Sequence, residues 1–209
     1  MNARWISTNV YRYLAPSVVG LVTTFVVGCG QLSAPSDSSD GTTALATDRR
    51  HSATQGDQSI ADELGHLRAV TARYQRIEAA DSAGYSAQLT GCMIDPKLGG
   101  MGFHFGKPST IDNTADPLEP EVLLYEPQEN GRMRLVAVEY IIPFSVRPRT
   151  GPAPRLFGQD FIPNDAEGFK LWGLHAWVWR NNPAGMFADW NPLVNCDAVP
   201  AAARMSHPS

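Results

Sequence analysis

The sequence predicts an α+β domain in which an N-terminal amphipathic helix packs on a mainly antiparallel sheet or small barrel. Three observations predict it. Apolar residues recur at steps of three and four over residues 60–77, the period then drops to two in later runs, and Asn130-Gly131 joins two of those runs. Helical spacing followed by alternation places the helix first and the strands after it, which is the α+β order rather than the alternating βαβ order.

In the helix, Ile60, Leu64, Leu67, Val70, Tyr74 and Ile77 form one stripe. Ser59, followed by Asp62 and Glu63, suits its start, and Gly84 suits its stop. Arg68, Arg73 and Arg76 fall away from the stripe and read as a solvated face, with His66 a surface histidine at its margin. Asp81 would return to the apolar side near the negative end of the helix dipole, so the helix is expected to end before it.

The first strand is sought in "GGMGFHFGKP", residues 99–108. Read as extended chain, it puts Met101, Phe103 and Phe105 on one face and His104 on the other between Gly102 and Gly106. The space beside that imidazole suits a ligand, a second backbone or another part of the core. The run "EVLLYEPQENGRMRLVAVEYIIP" is a hairpin. If Asn130 and Gly131 are its two loop residues, Glu139 falls opposite Val122 without a cross-strand cation, in an apolar row with Met133, Leu135, Ala137 and Ile141. Pro127 requires a bulge or a strand end in that register.

In "FKLWGLHAWVWR", Leu171, Gly173, His175, Trp177 and Trp179 line one face, while Trp172, Leu174, Ala176 and Val178 line the other. Both faces are heavy, so this is a central strand. Between these runs lies "PFSVRPRTGPAPRLFGQDFIPNDAEG", aperiodic and proline-rich, a flap or a stiff wrapped loop. Its Arg147, Arg149 and Arg155 read as solvated, and nothing supports Asp160 and Asp165 as a catalytic acid pair.

The N-terminus carries a different message. Arg4 and Arg12 precede "LAPSVVGLVTTFVVGC", an uncharged apolar run too short for a comfortable bilayer span, which reads as an export signal over residues 1–28. Its end, Val26-Val27-Gly28-Cys29, resembles the lipobox of bacterial lipoproteins. That resemblance implies lipidation of Cys29, a palmitate-bearing anchor in the cell envelope and, in a Gram-negative cell, onward transport to the outer membrane, because Gly30 rather than aspartate follows. Residues 29–57, rich in Ser, Thr, Asp, Gly and Ala and containing His51, are expected to be a flexible tether, leaving residues 58–209 as a single domain. In an oxidising compartment its two cysteines, Cys92 and Cys196, are expected to form a disulfide. From the helix through "LHAWVWRNNPAGMFADWNP" the domain resembles uncharacterised exported bacterial proteins, a resemblance that implies the envelope setting and no activity.

Function classes narrow quickly. Residues 1–28 hold two arginines and no acid, so without them the formal charge goes from −4 to −6, which disfavours nucleic acid as a partner. Neither a phosphate-binding loop, nor a dinucleotide fingerprint, nor a Gly-x-Ser-x-Gly elbow is present. What stands out is His104, Glu139 and His175, three polar groups on strands with apolar or absent neighbours. Two imidazoles and a carboxylate meeting on one sheet face suit one divalent transition metal ion with positions left for water or substrate. The plainer reading is a hydrogen-bonded His-Glu-His core. Trp177 and Trp179 share the His175 face and are expected to wall a pocket for a small-molecule ligand, while Trp172 packs behind the sheet. No catalytic residue is assigned. The resulting expectation is an envelope lipoprotein binding a metal or small ligand, with a metal-dependent enzyme or a structural interaction protein as alternatives.

Overall fold

The helical stripe yields two helices rather than one. The computed structural model describes residues 57–166 and 168–206; the export-signal segment, Cys29 and the tether with His51 lie outside them, except that Asp57 is already helical. Helix α1 covers 57–71, a 3-10 turn follows at Ala72–Gln75, and α2 covers Ile77–Ser82. Arg76 between them is extended, with φ −98° and ψ 115°. The break begins where the stripe is polar: Thr71 is fully buried, donates from Oγ1 to the Leu67 carbonyl at 2.7 Å and accepts from Trp179 Nε1 at 3.0 Å, whereas Val70 is exposed. Threonine bonding back to the i−4 carbonyl often bends a helix. Beyond the turn, the Tyr74 carbonyl accepts from the Tyr125 hydroxyl at 2.7 Å, and α2 carries Ala80 into the core. Helix α2 runs one residue past Asp81, and that side chain is exposed, so it neither ends the helix nor faces a site. Among the described residues no helix is long and apolar enough to cross a membrane.

The strands are β1 (Ala87–Gln88), β2 (Cys92–Asp95), β3 (Gly99–Gly106), β4 (Val122–Pro127), β5 (Met133–Pro143), β6 (Arg155–Leu156), β7 (Gln159–Asp160), β8 (Ile162–Asn164), β9 (Leu171–Ala176) and β10 (Arg204–Ser206). The main sheet runs β10-β2-β3-β4-β5-β9-β8 with β1 beside β3, and β6 pairs β7 apart from it. Only β10 and β2 are parallel; every other pairing is antiparallel. Strands β10 and β8 end the order, so among the described residues this is an open sheet and not a closed barrel.

Two one-residue departures in the β4–β5 hairpin cancel. Near the turn the pairs are Pro127↔Met133 and Glu126↔Arg134, one residue away from the spacing a two-residue loop would give, and Gly131 takes φ 76°. A bulge between Leu124 and Tyr125 restores the register, so Glu139 does pair with Val122. The bulge also turns β5 over. Met133 and Leu135 pack with Val138, Tyr140 and Ile142 on the helix side, while Val136, Ala137 and Ile141 pack on the other, where Glu139 points. The single row expected for Met133 through Ile141 is therefore split at Val136.

The sheet thus has two unlike faces. One carries Leu123, Tyr125, Leu135, Val138, Tyr140, Trp172 and Leu174 and is covered by α1, the 3-10 turn and α2 through Leu67, Tyr74 and Ala80 respectively. Trp172 lies behind the sheet, as expected. The other carries Met93, Met101, Val122, Leu124, Ala137, Ile141, Trp177 and Val194. There the chain after β9 folds back, held by a Gly100–Asn191 bridge and by the Cys92–Cys196 disulfide, whose half-cystines are 104 residues apart.

Candidate metal centre

His104, Glu139 and His175 come from β3, β5 and β9 and meet on the second face. Glu139 pairs directly with His175, and His104 approaches from the far side of β4, where its own partner is Leu124. Alternation along β9 and the β5 bulge aim all three the same way. Each offers a ligand atom, and these lie within 4.8 Å of one another. His104 Nε2 is 3.8 Å from Glu139 Oε2, and His175 Nε2 is 4.0 Å from Glu139 Oε1. Those separations exceed a hydrogen bond. They approach twice a metal–ligand distance of about 2.0–2.2 Å.

The outer nitrogens are held from behind. Thr90 Oγ1 lies 2.9 Å from His104 Nδ1, and Asp189 Oδ1 lies 3.4 Å from His175 Nδ1. A hydroxyl or carboxylate at Nδ1 turns the Nε2 lone pair toward the centre, which is how metal-binding imidazoles are oriented. Nε2 of the buried His175 has no hydrogen-bond partner among the described residues, and Nδ1 has only the 3.4 Å contact with Asp189. Such an atom is costly to leave unsatisfied, and a plain hydrogen-bonded His-Glu-His cluster would not leave it so. His175 also stacks on Trp177, with ring centroids 6.3 Å apart.

Electrostatics separates the two imidazoles. Burial, aided by nearby His175, pushes the His104 pKa down to about 3, so this ring is neutral and able to donate a lone pair. For His175 burial also acts downward, yet Glu139 and Asp189 outweigh it and hold the ring above the ordinary histidine value. Glu139 is raised by burial, against the pull of His175 and with a further push from Asp189. A cation among them would favour the carboxylate form and the neutral rings.

The glycines beside His104 do not leave ligand space. Gly102 has φ 87°, and a Cβ there would lie 2.4 Å from the Tyr125 carbonyl oxygen, so β4 backbone fills that side. A Cβ on Gly106 would meet the Leu89 side chain. At Gly102 the strand also changes face, because Met101 packs beside the centre while Phe103 lies with the disulfide, contrary to the shared face expected for Met101, Phe103 and Phe105. The open volume lies elsewhere: a cavity of about 640 Å³ has His104, Glu139 and His175 in its wall, together with Met101, Ile141 and Trp190.

Other expected site residues fall differently. Trp177 is buried under His175 and donates from Nε1 to the Ala188 carbonyl at 2.6 Å, outside the cavity wall. Trp179 lies across the sheet, bonded to Thr71 beneath Arg68, because β9 ends at Ala176 and a tight turn follows. Trp190 takes the wall position instead. The proline-rich segment does contribute, through Pro163, Asn164 and Asp165. Its Arg149 pairs with Asp165, Arg155 with Asp160 at 2.8 Å, and Arg147 bonds the Pro152 carbonyl, so charges and acids alike are used locally. Thr90 and Asp189 were not singled out from sequence; an acid between aromatics in "FADWNP" was the only trace of the second.

What fold and site define is an α+β domain with an open, mainly antiparallel sheet, one face of which carries a buried two-histidine, one-carboxylate cluster beside a cavity. Comparisons with protein-family models, with curated proteins and with solved structures give no match.

Proposed function

We propose that this is a cell-envelope lipoprotein, anchored through Cys29, whose domain binds one divalent transition metal ion between His104, Glu139 and His175. The observation that carries the metal is the pair of Nε2 atoms facing the two oxygens of Glu139 at 3.8 and 4.0 Å, each ring backed at Nδ1 by Thr90 or Asp189. Two imidazoles and a carboxylate suit zinc, iron or another first-row ion and leave coordination positions open. The cavity beside those positions supports a second reading, turnover of a substrate held there by a metal-activated water or oxygen species. The anchor rests on Val26-Val27-Gly28-Cys29.

Metal analysis of protein purified without an affinity tag tests the first part. About one equivalent of metal in the parent, lost in both His104→Gln and His175→Gln with folding retained, is the expected result; no metal after incubation with zinc, iron and manganese salts contradicts it. Labelled palmitate incorporated by the parent and not by Cys29→Ser tests the anchor.

A further inference from the structure

The cavity has a polarity that narrows its occupant. Its polar side chains are His104, Glu139, His175, Asp189 and Thr90 around the cluster, with Asn164 and the Arg149-paired Asp165 from the proline-rich segment. Away from the cluster the wall is mostly apolar: Met93, Met101, Ile111, Ile141, Leu171 and Ile162. Ile162 is nearly half exposed on β8 and pairs with Gly173, which sets its side chain on the His175 face at the rim. Leu89, also in the wall, is similarly exposed. A volume of about 640 Å³ is within the range of small-molecule sites.

Formal charge decides the head group. A divalent ion is balanced by Glu139 and Asp189, and with both imidazoles neutral the centre carries no net charge. An anionic head would then meet the Glu139 and Asp189 carboxylates at the same end of the cavity with no net positive charge to offset it, whereas a hydroxyl or carbonyl oxygen can take an open metal position at little desolvation cost. We infer that the cavity binds a neutral amphiphile, an aliphatic alcohol or carbonyl compound with its oxygen at the metal and its hydrocarbon body along Met101, Ile111, Ile141 and Ile162. The oxygen's position rests on the metal reading; the body rests on the cavity alone.

Calorimetric titration of the full zinc-treated chain with 1-octanol and with octanoate tests this, using Ile162→Arg at the rim and Ile111→Trp in the wall as blocking variants. Neither residue is a ligand, and Ile162 is exposed enough to tolerate the change. The expected result is octanol binding at least ten-fold tighter than octanoate binding, weakened at least ten-fold in both variants while each retains its zinc. Bound zinc with no octanol binding, or octanol binding indifferent to both variants, overturns the inference and leaves the metal reading standing. Octanoate binding more tightly overturns the neutral head. Octanol bound and blocked by the variants in protein that takes up no zinc overturns the metal reading and the oxygen's placement, while supporting the apolar body.

Discussion

The two faces of one sheet are closed in different ways. On the helix side, α1 and α2 cover an apolar layer whose polar atoms are each matched: Tyr125 to the Tyr74 carbonyl, Tyr85 to that of Pro120 and Tyr140 to that of Pro117, all at 2.7 Å. On the other side a returning loop, tied by a disulfide, leaves a cavity and a histidine whose Nε2 has no hydrogen-bond partner. Alternate residues of the same strands serve both. The lesson is that stability and chemistry are divided by side-chain parity, so a substitution on one face should leave the other's property untouched.

The largest expected effect tests the covalent tie. Closing a loop of this length stabilises by about 5 kcal/mol in the chain-entropy model, so the Cys92→Ala, Cys196→Ala double variant should lose most of that in guanidinium unfolding. A loss near zero would mean that the cavity face is closed without it. Next comes the helix face, where Leu135→Ala should cost about 3 kcal/mol yet bind metal at parent stoichiometry; loss of metal there would break the division.

A titration sharpens it further. Glu121 is buried, accepts from the Ile141 amide at 3.1 Å, and is pushed by burial up to about 8. Folded protein keeps this proton where the unfolded chain, with an ordinary carboxyl, has released it. Glu121's contribution to stability should therefore fall as pH rises from about 4.5 to 8; His104, neutral in the fold, acts oppositely up to about 6.5, so the fall should show between about 6.5 and 8. Glu121→Gln should flatten that slope and, at pH 7.5, stabilise by on the order of 2 kcal/mol. An unchanged slope would remove Glu121 as its source. The smallest effect belongs to the centre: His175→Gln in metal-free protein should cost about 1 kcal/mol, since only the 3.4 Å contact with Asp189 and the 4.0 Å contact with Glu139 are lost and Nε2 makes no hydrogen bond.

Sequence spacing revealed what is periodic and local. Alternation over Leu171–Val178 placed Trp172 behind the sheet and His175 on the site face, and parity along β5 put Glu139 opposite Val122. That last success came through two compensating shifts, a longer turn and a bulge, neither of which leaves a mark in an apolar run. The split of β5 at Val136 was therefore hidden. So was the break at Arg76, because the stripe continues through Tyr74 to Ile77 and only burial of Thr71 shows where the helix bends. Trp179 followed parity beyond the end of its strand. Gly102 signalled close approach, and of the ligand, backbone and core readings the backbone one holds there, supplied by β4. Thr90 and Asp189 act through contacts that form only when the segments before β2 and after β9 fold back onto the sheet, which no alternation or helical spacing marks.

The central claim is that two imidazoles and one carboxylate share a single ion. X-ray absorption at the zinc edge of the loaded protein tests it most directly. The account predicts two imidazole nitrogens at about 2.0–2.1 Å with oxygen completing the shell, and one imidazole fewer in each of His104→Gln and His175→Gln. A spectrum with no imidazole scattering, or one that neither substitution alters, would contradict it.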